Sequence, residues 1–190
     1  MKIGLLLGSF DPIHIGHFNA AISVINEGLV DKVYFVPTPQ NPWKIKRPVD
    51  LDLRCDMIQK MISSSQEFNR MEVHVGYIDE ELEEAGRTFY SYEQLSRVVG
   101  NSTDEFYIIA GSDVISDISS WYKGNEILKK FKTIEVDRVG ISEGPSIRIS
   151  SSNIRSMIAS GKNPCPWVTP EIYRFIQVHD LYKNERILRR

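Results

Sequence analysis

Cysteine is scarce in this sequence. Cys55 and Cys165 are the only two among 190 residues, too few for a disulfide framework and without the second pair that a CxxC metal site needs. That scarcity fits a reducing, cytoplasmic setting. Long apolar runs are missing too: no stretch approaches the ~20 residues needed to cross a bilayer, so a soluble chain with no membrane partner is expected. Met1-Lys2 and the apolar Ile3-Gly4-Leu5-Leu6-Leu7 imitate the start of an export signal. The run is short, however, no A-x-A-like cleavage site follows, and Asp11-Pro12 comes at once, so export is not expected. Charge of one sign is also lacking, since 23 Lys and Arg against 25 Asp and Glu leave a net charge of −2. No global basic field draws the chain to nucleic acid, and any bound anion must be held locally. No internal repeat or low-complexity tract occurs, which excludes a solenoid. Neither GxxxxGK[ST] nor a GxGxxG after the first apolar run is present, so P-loop and dinucleotide-oxidoreductase readings lack their phosphate cradles.

The remaining composition, 42% hydrophobic and 25% charged, is that of an ordinary globular domain with a real core. Lys2 to Leu7, ending at Gly8, has the near-continuous apolar pattern of a parallel strand buried on both faces. Phe18, Ala21, Ile22, Ile25 and Leu29 then follow helical spacing, with Gly28 near the stop. The same reading gives strands at 33–36, 71–75, 106–110, 133–136 and 146–149, and helices at 50–62, 90–99, 113–119, 124–130, 152–159 and 170–178. Residues 37–48 form a proline-rich loop between the second strand and its helix. Alternation of this kind argues an α/β fold, an open parallel sheet with helices on both faces, whose ligands collect at the carboxyl ends of the strands. Residues 1–182 are expected to be a single domain, helical from about 150 onward, and the basic tail 183–190 is expected to fray.

The segment Gly8-Ser9-Phe10-Asp11-Pro12-Ile13-His14-Ile15-Gly16-His17 stands where the first strand hands over to its helix. Histidines three residues apart there lie on one side of the turn, and Gly16 lets a ligand approach the backbone. Amide hydrogens at a helix start, with two imidazoles beside them, suit a phosphate whose charge grows during reaction. One histidine could instead cap the helix while the other packs; the pair beside glycines at a strand end favours phosphate. Far downstream, Ile149-Ser150-Ser151-Ser152-Asn153-Ile154-Arg155 opens a second helix. Ser151 or Ser152 can cap it, and Arg155 can place a planar guanidinium beside its first turn. Alone this could be an ordinary N-cap with a solvated arginine; paired with the histidine loop it reads as a clamp on phosphates.

These two segments resemble the signatures of the HxGH nucleotidyltransferases, and the nearest members by pattern are the bacterial nicotinate-nucleotide adenylyltransferases of NAD biosynthesis. The opening GGxFDPxHxGH is matched from Leu7 to His17 with Leu7 for the first glycine, and ISSTxIR is matched at 149–155 with Ser152 for threonine. Arg87 to Leu95 resembles SYTxDTL, with Tyr90 and Ser91 at its YT pair, and Gly111-Ser112-Asp113 with Trp121 resembles GAD…W. Asn41-Pro42-Trp43-Lys44 resembles PPHK, Arg54 with Met57 the RxxM pattern, Arg138-Val139-Gly140 the RPG turn, and His179 to Tyr182 the hxLY ending. The string His14 to His17 is also similar to class I aminoacyl-tRNA synthetases, but the chain has no KMSKS-like loop and no room for a tRNA-binding region.

The resemblance implies a Rossmann-like sheet of the nucleotidyltransferase type and adenylyl transfer from ATP to nicotinate mononucleotide, with Mg2+ arriving on ATP. It assigns catalysis to His14, His17, Lys44 and Arg155, and ATP binding to Gly8, Ser9, Phe10, His14, Gly16, His17, Gly111, Asp113, Ser151, Ser152 and Arg155. Acceptor contacts fall to Lys44, Tyr90, Ser91, Asp113, Trp121 and Arg138. Trp121 offers a face for a pyridine ring, although a tryptophan there could simply be core. Nothing resembles a covalent nucleophile with an adjacent base, so direct attack is preferred. Nicotinamide mononucleotide or phosphopantetheine as acceptor, and a catalytically silent nucleotide-binding protein, are the alternatives. A homo-oligomer is left open.

Overall fold

The computed structural model describes residues 1–38, 48–64, 71–73, 103–136 and 149–183. The N-terminal apolar run forms β1, Lys2–Gly8, buried from Ile3 to Leu6. With β2 (Lys32–Pro37), β3 (Met71–Val73), β4 (Glu105–Ala110) and β5 (Lys132–Glu135) it makes one sheet in the order β3-β2-β1-β4-β5. Each pairing is parallel, so the carboxyl ends of the strands share one edge. Gly8 stands opposite Pro37 and Leu6 opposite Ile109, which aligns the ends of β1, β2 and β4. The winding moves outward from β1 through β2 to β3, then restarts beside β1 with β4 and β5. This reversal opens a crevice above β1 and β4, the place where such sheets bind ligands.

Period-two alternation along the strands feeds two cores. Leu6, Val33, Phe35 and Ile109 face one side, where α1 (Ile15–Asn26), α2 (Leu51–Ser63), α5 (Ser151–Ala159) and α6 (Pro170–Val178) bury Phe18, Val24, Met57, Ile58, Ile154, Ile172 and Ile176. Ile3, Leu5, Tyr34, Val36 and Ile108 face the other, covered by a 3-10 turn (Ile118–Ser120) and α4 (Gly124–Lys130). Strands sandwiched this way must be apolar on both faces, which is why β1 reads as a continuous run. Thr169 caps α6 by accepting from the Ile172 amide at 3.3 Å, and Pro170 follows in the first turn.

The expected bounds of α4 and α6 hold residue for residue. The helix expected at 113–119 is instead α3 (Ser112–Asp117) followed by the 3-10 turn. The chain tightens where the fully buried Ile118 presents its carbonyl to Gly124, so closely that a Cβ on Gly124 would lie 1.9 Å from that oxygen. Strand β3 accounts for 71–73 of the expected 71–75, with 74–75 outside the described residues, and Ile149 lies in a loop rather than a strand. The helix expected at 90–99, residues 146–148 of the expected strand and the tail from 184 lie outside the described residues. Among the described residues no helix is long and apolar enough to cross a membrane.

Candidate active site

The β1–α1 loop starts with strain. Phe10 adopts φ +47°, a left-handed conformation that costs a non-glycine residue about 1–3 kcal/mol. Burial holds it there: Phe10 is 1% exposed, packs edge-on to Phe35, and sets its ring edge-on to His17 with centroids 5.0 Å apart. His14, in extended conformation, precedes the first turn of α1. Its main-chain N–H donates to Nδ1 of His17 at 3.2 Å, and the two imidazoles stack with centroids 3.7 Å apart and 27° between planes. With Nδ1 accepting, the neutral His17 ring carries its hydrogen on Nε2, which makes that nitrogen a donor for an anionic oxygen. Gly16 also makes room for this pair. A Cβ at Gly16 would lie 3.0 Å from Nδ1 of His14, so the missing side chain is room for the imidazole.

The first turn of α1 is less open to a ligand than the sequence suggests. The Ile15 amide donates to the Trp167 carbonyl and the His17 amide to the His14 carbonyl, each at 3.0 Å. Donors to a phosphate therefore come more from side chains than from these two amides.

The serine-rich segment meets this loop directly. Ser150 caps α5 by accepting from the Asn153 amide, a role expected of Ser151 or Ser152. Ser151 instead donates its hydroxyl to the Pro12 carbonyl at 2.9 Å, across 139 residues of sequence. Arg155 Nη1 donates to the Asp11 carbonyl at 2.7 Å, and Nη2 donates to the exposed Ser152 hydroxyl at 3.2 Å. The Arg155 side chain is only 16% exposed, and its Nη1 lies 3.7 Å from Oδ2 of Asp11. Two motifs far apart in sequence thus share one surface.

Two further side chains, Arg54 and Tyr182, hold this assembly and were not among the expected site residues. Arg54, 1% exposed, donates Nε to the Val49 carbonyl at 2.6 Å and Nη1 to the carbonyls of Ser9 and Thr38 at 2.6 and 2.7 Å. It ties the ends of β1 and β2 to the approach to α2. Burial pushes its guanidinium below the ordinary arginine value, and the carboxylate of Asp11 opposes that shift. The signal was present in sequence, for Arg54 shares the helical spacing of Met57 and Ile58 and so sits on the apolar stripe of α2. Tyr182 donates its phenol to Oδ1 of Asp11 at 2.8 Å. Burial, then the neighbouring carboxylate, push that phenol far above its ordinary value.

Gly111 precedes α3 at the end of β4, on the same sheet edge as Gly8. Asp113 is exposed in the first turn of α3. Trp121 is half-buried against the second core, beside Ile118 and Ile127. The structure joins the His14/His17 loop to Ser151 and Arg155 by direct contacts, brings Ser152 in through Arg155, and sets Gly111 and Asp113 along the same edge. Lys44, Tyr90, Ser91 and Arg138 lie outside the described residues. Among the described residues no group of three His, Cys, Asp or Glu side chains could hold a metal ion.

Residues 5–157 match the cytidylyltransferase-like family. A probable nicotinate-nucleotide adenylyltransferase of Carboxydothermus hydrogenoformans is 31% identical over 96% of this chain and 98% of its own. The chain belongs to this family and to its nicotinate-nucleotide adenylyltransferase branch. A second probable nicotinate-nucleotide adenylyltransferase, from Thermoanaerobacter sp., is 29% identical over 97% of this chain and 96% of its own. The fold likewise matches Plasmodium falciparum nicotinic acid mononucleotide adenylyltransferase complexed with NaAD, with a TM-score of 0.74, 21% identity, and coverage of 96% of this chain and 97% of that one. The expected Rossmann-like sheet and nucleotidyltransferase assignment both stand.

Proposed function

We propose that this nucleotidyltransferase joins nicotinate mononucleotide to the adenylyl group of ATP, giving nicotinate adenine dinucleotide and pyrophosphate for NAD biosynthesis. An oxygen of the mononucleotide 5′-phosphate attacks the α-phosphorus in line as the bond to the β-phosphate bridging oxygen breaks. No enzyme-bound intermediate is needed when both reactants are oriented and charge is neutralised. The observation that carries the reading is the junction of the two motifs, with Arg155 on Asp11 and Ser151 on Pro12, at the crevice where the sheet reverses. The fold neighbour from Plasmodium falciparum, complexed with NaAD and with APC, supports the same chemistry.

His17, held by the His14 amide, directs Nε2–H at charge growing on the α-phosphoryl oxygens, and His14 backs it through the ring stack. Arg155 and Ser152 meet the leaving phosphates, a role shared with Lys44 by its place in the PPHK-like segment. Magnesium enters on ATP as part of the substrate. Asp113, Trp121, Tyr90, Ser91 and Arg138 are assigned to the acceptor by motif position. The two unpaired thiols, Cys55 and Cys165, support a reducing cytoplasm as the working compartment.

The test is to incubate the chain with magnesium-ATP and, separately, nicotinate mononucleotide, nicotinamide mononucleotide and phosphopantetheine, following pyrophosphate and identifying the product by mass. Fastest release with the nicotinate acceptor is expected. His17→Ala should lower that rate by about 10²–10³, the usual loss of an oxyanion donor, while the chain stays folded at the assay temperature. Preference for another acceptor would replace the substrate, and ATP binding without turnover would make the chain a nucleotide-binding protein.

A further inference from the structure

We propose that Tyr182 is a positioning residue for adenylyl transfer: by occupying one oxygen of the Asp11 carboxylate, its phenol keeps Arg155 available to the phosphates of ATP. This rests on the adenylyl-transfer reading above. Asp11 is a buried carboxylate, 8% exposed, that sits between the two motifs. Oδ1 accepts from Tyr182 at 2.8 Å and from the Val49 amide at 3.3 Å, whereas Oδ2 stands 3.7 Å from Nη1 of Arg155. Among the described residues, Arg54 also acts on this network. A guanidinium that must grip phosphates is best kept from a tight pair with a carboxylate, because a short bidentate pair would turn its hydrogens away from ligand. The phenol and the amide anchor Oδ1, and Arg155 consequently reaches Asp11 mainly through the main-chain oxygen at 2.7 Å.

The backbone is built to deliver that phenol. After α6 the chain reverses at once: the Leu181 amide donates to the Ile176 carbonyl at 3.0 Å. Asp180 and Tyr182 take φ of +51° and +65°, left-handed conformations that are unfavourable for both and rare for an aromatic residue. Strain of this kind persists where surrounding structure demands it and clusters at functional sites. Here it turns the ring inward to 8% exposure, into the core that α1, α2, α5 and α6 share. Removal of the hydroxyl leaves Oδ1 with the longer, weaker bond from the Val49 amide and lets the carboxylate swing toward Arg155.

Tyr182→Phe keeps the ring and deletes one oxygen. At a temperature below its melting midpoint, kcat/KM for magnesium-ATP should fall about tenfold while KM for nicotinate mononucleotide stays within twofold, a split that simple loosening of the fold would not produce. In an Arg155→Ala background the same substitution should change kcat/KM for ATP by less than twofold, because the group it positions is gone. Unchanged ATP kinetics, equal losses for both substrates, an undiminished tenfold loss without Arg155, or a Tyr182→Phe chain unable to fold would each overturn the assignment. Absence of turnover by the unsubstituted chain with any acceptor would remove the reaction itself, and this inference with it.

Discussion

Arg54 offers the sharpest test of how the site is held. It is 1% exposed and donates to the Val49, Ser9 and Thr38 carbonyls at 2.6, 2.6 and 2.7 Å. Arg54→Met fills similar space, strands those three oxygens and removes the positive charge that acts on Asp11. Hydrogen bonds from a charged donor contribute about 1.5–3 kcal/mol each, but relaxation and entering water make such losses less than additive. Removing one member of a buried charged network costs about 3–5 kcal/mol, and roughly 4 kcal/mol is expected here. For a domain of this size that corresponds to a fall in thermal midpoint of about 8–16 °C. Arg54→Lys retains the charge but its single ammonium cannot reach all three carbonyls, so an intermediate loss is expected. Urea titration and thermal melting followed by circular dichroism measure both variants. A loss below about 1 kcal/mol for Arg54→Met would refute the view that this side chain binds three loops together, since even one stranded carbonyl costs that much.

Gly124→Ala places a Cβ 1.9 Å from the Ile118 carbonyl oxygen, backbone that cannot swing aside, so about 3 kcal/mol or more of stability should be lost by the same melts. Gly16→Ala puts a methyl 3.0 Å from Nδ1 of His14; displacement of that ring by a few tenths of an ångström should lower kcat about tenfold in the pyrophosphate assay, with little change in melting. Burial, the largest cause, pushes the Cys55 thiol up from its ordinary value, which shrinks the reactive thiolate fraction at any given pH. Iodoacetamide at pH 8.5 should therefore label Cys55 in the folded chain about tenfold more slowly than in urea, read by mass spectrometry of the Cys55 peptide.

The strands and the major helices were legible because burial writes itself into periodicity. β1 is apolar throughout since both of its faces are covered, and α6 announces its start with Thr169-Pro170. The histidine loop and the Ser151 to Arg155 segment were legible as chemistry standing at strand-to-helix junctions, and the fold brings them into contact. What composition and spacing do not encode is which polar group answers which. Among three consecutive serines the sequence points to Ser151 or Ser152 as the cap of α5, whereas Ser150 takes the Asn153 amide. Arg54 and Tyr182 matter through partners 45 and 171 residues away; helical spacing puts Arg54 on the apolar stripe of α2, but it does not say which carbonyls the buried guanidinium meets. Gly16 was legible as a position that needs glycine, but the neighbour its missing side chain makes room for, the imidazole of His14, is set by the fold.

The central claim is that two distant motifs grip one nucleotide, and a crystal structure with a non-hydrolysable ATP analogue tests it most directly. The account predicts a single bound triphosphate above β1 and β4 with both Nε2 of His17 and the guanidinium of Arg155 within hydrogen-bond distance of its phosphate oxygens. A nucleotide seated elsewhere, or touched by only one of these two side chains, would contradict it.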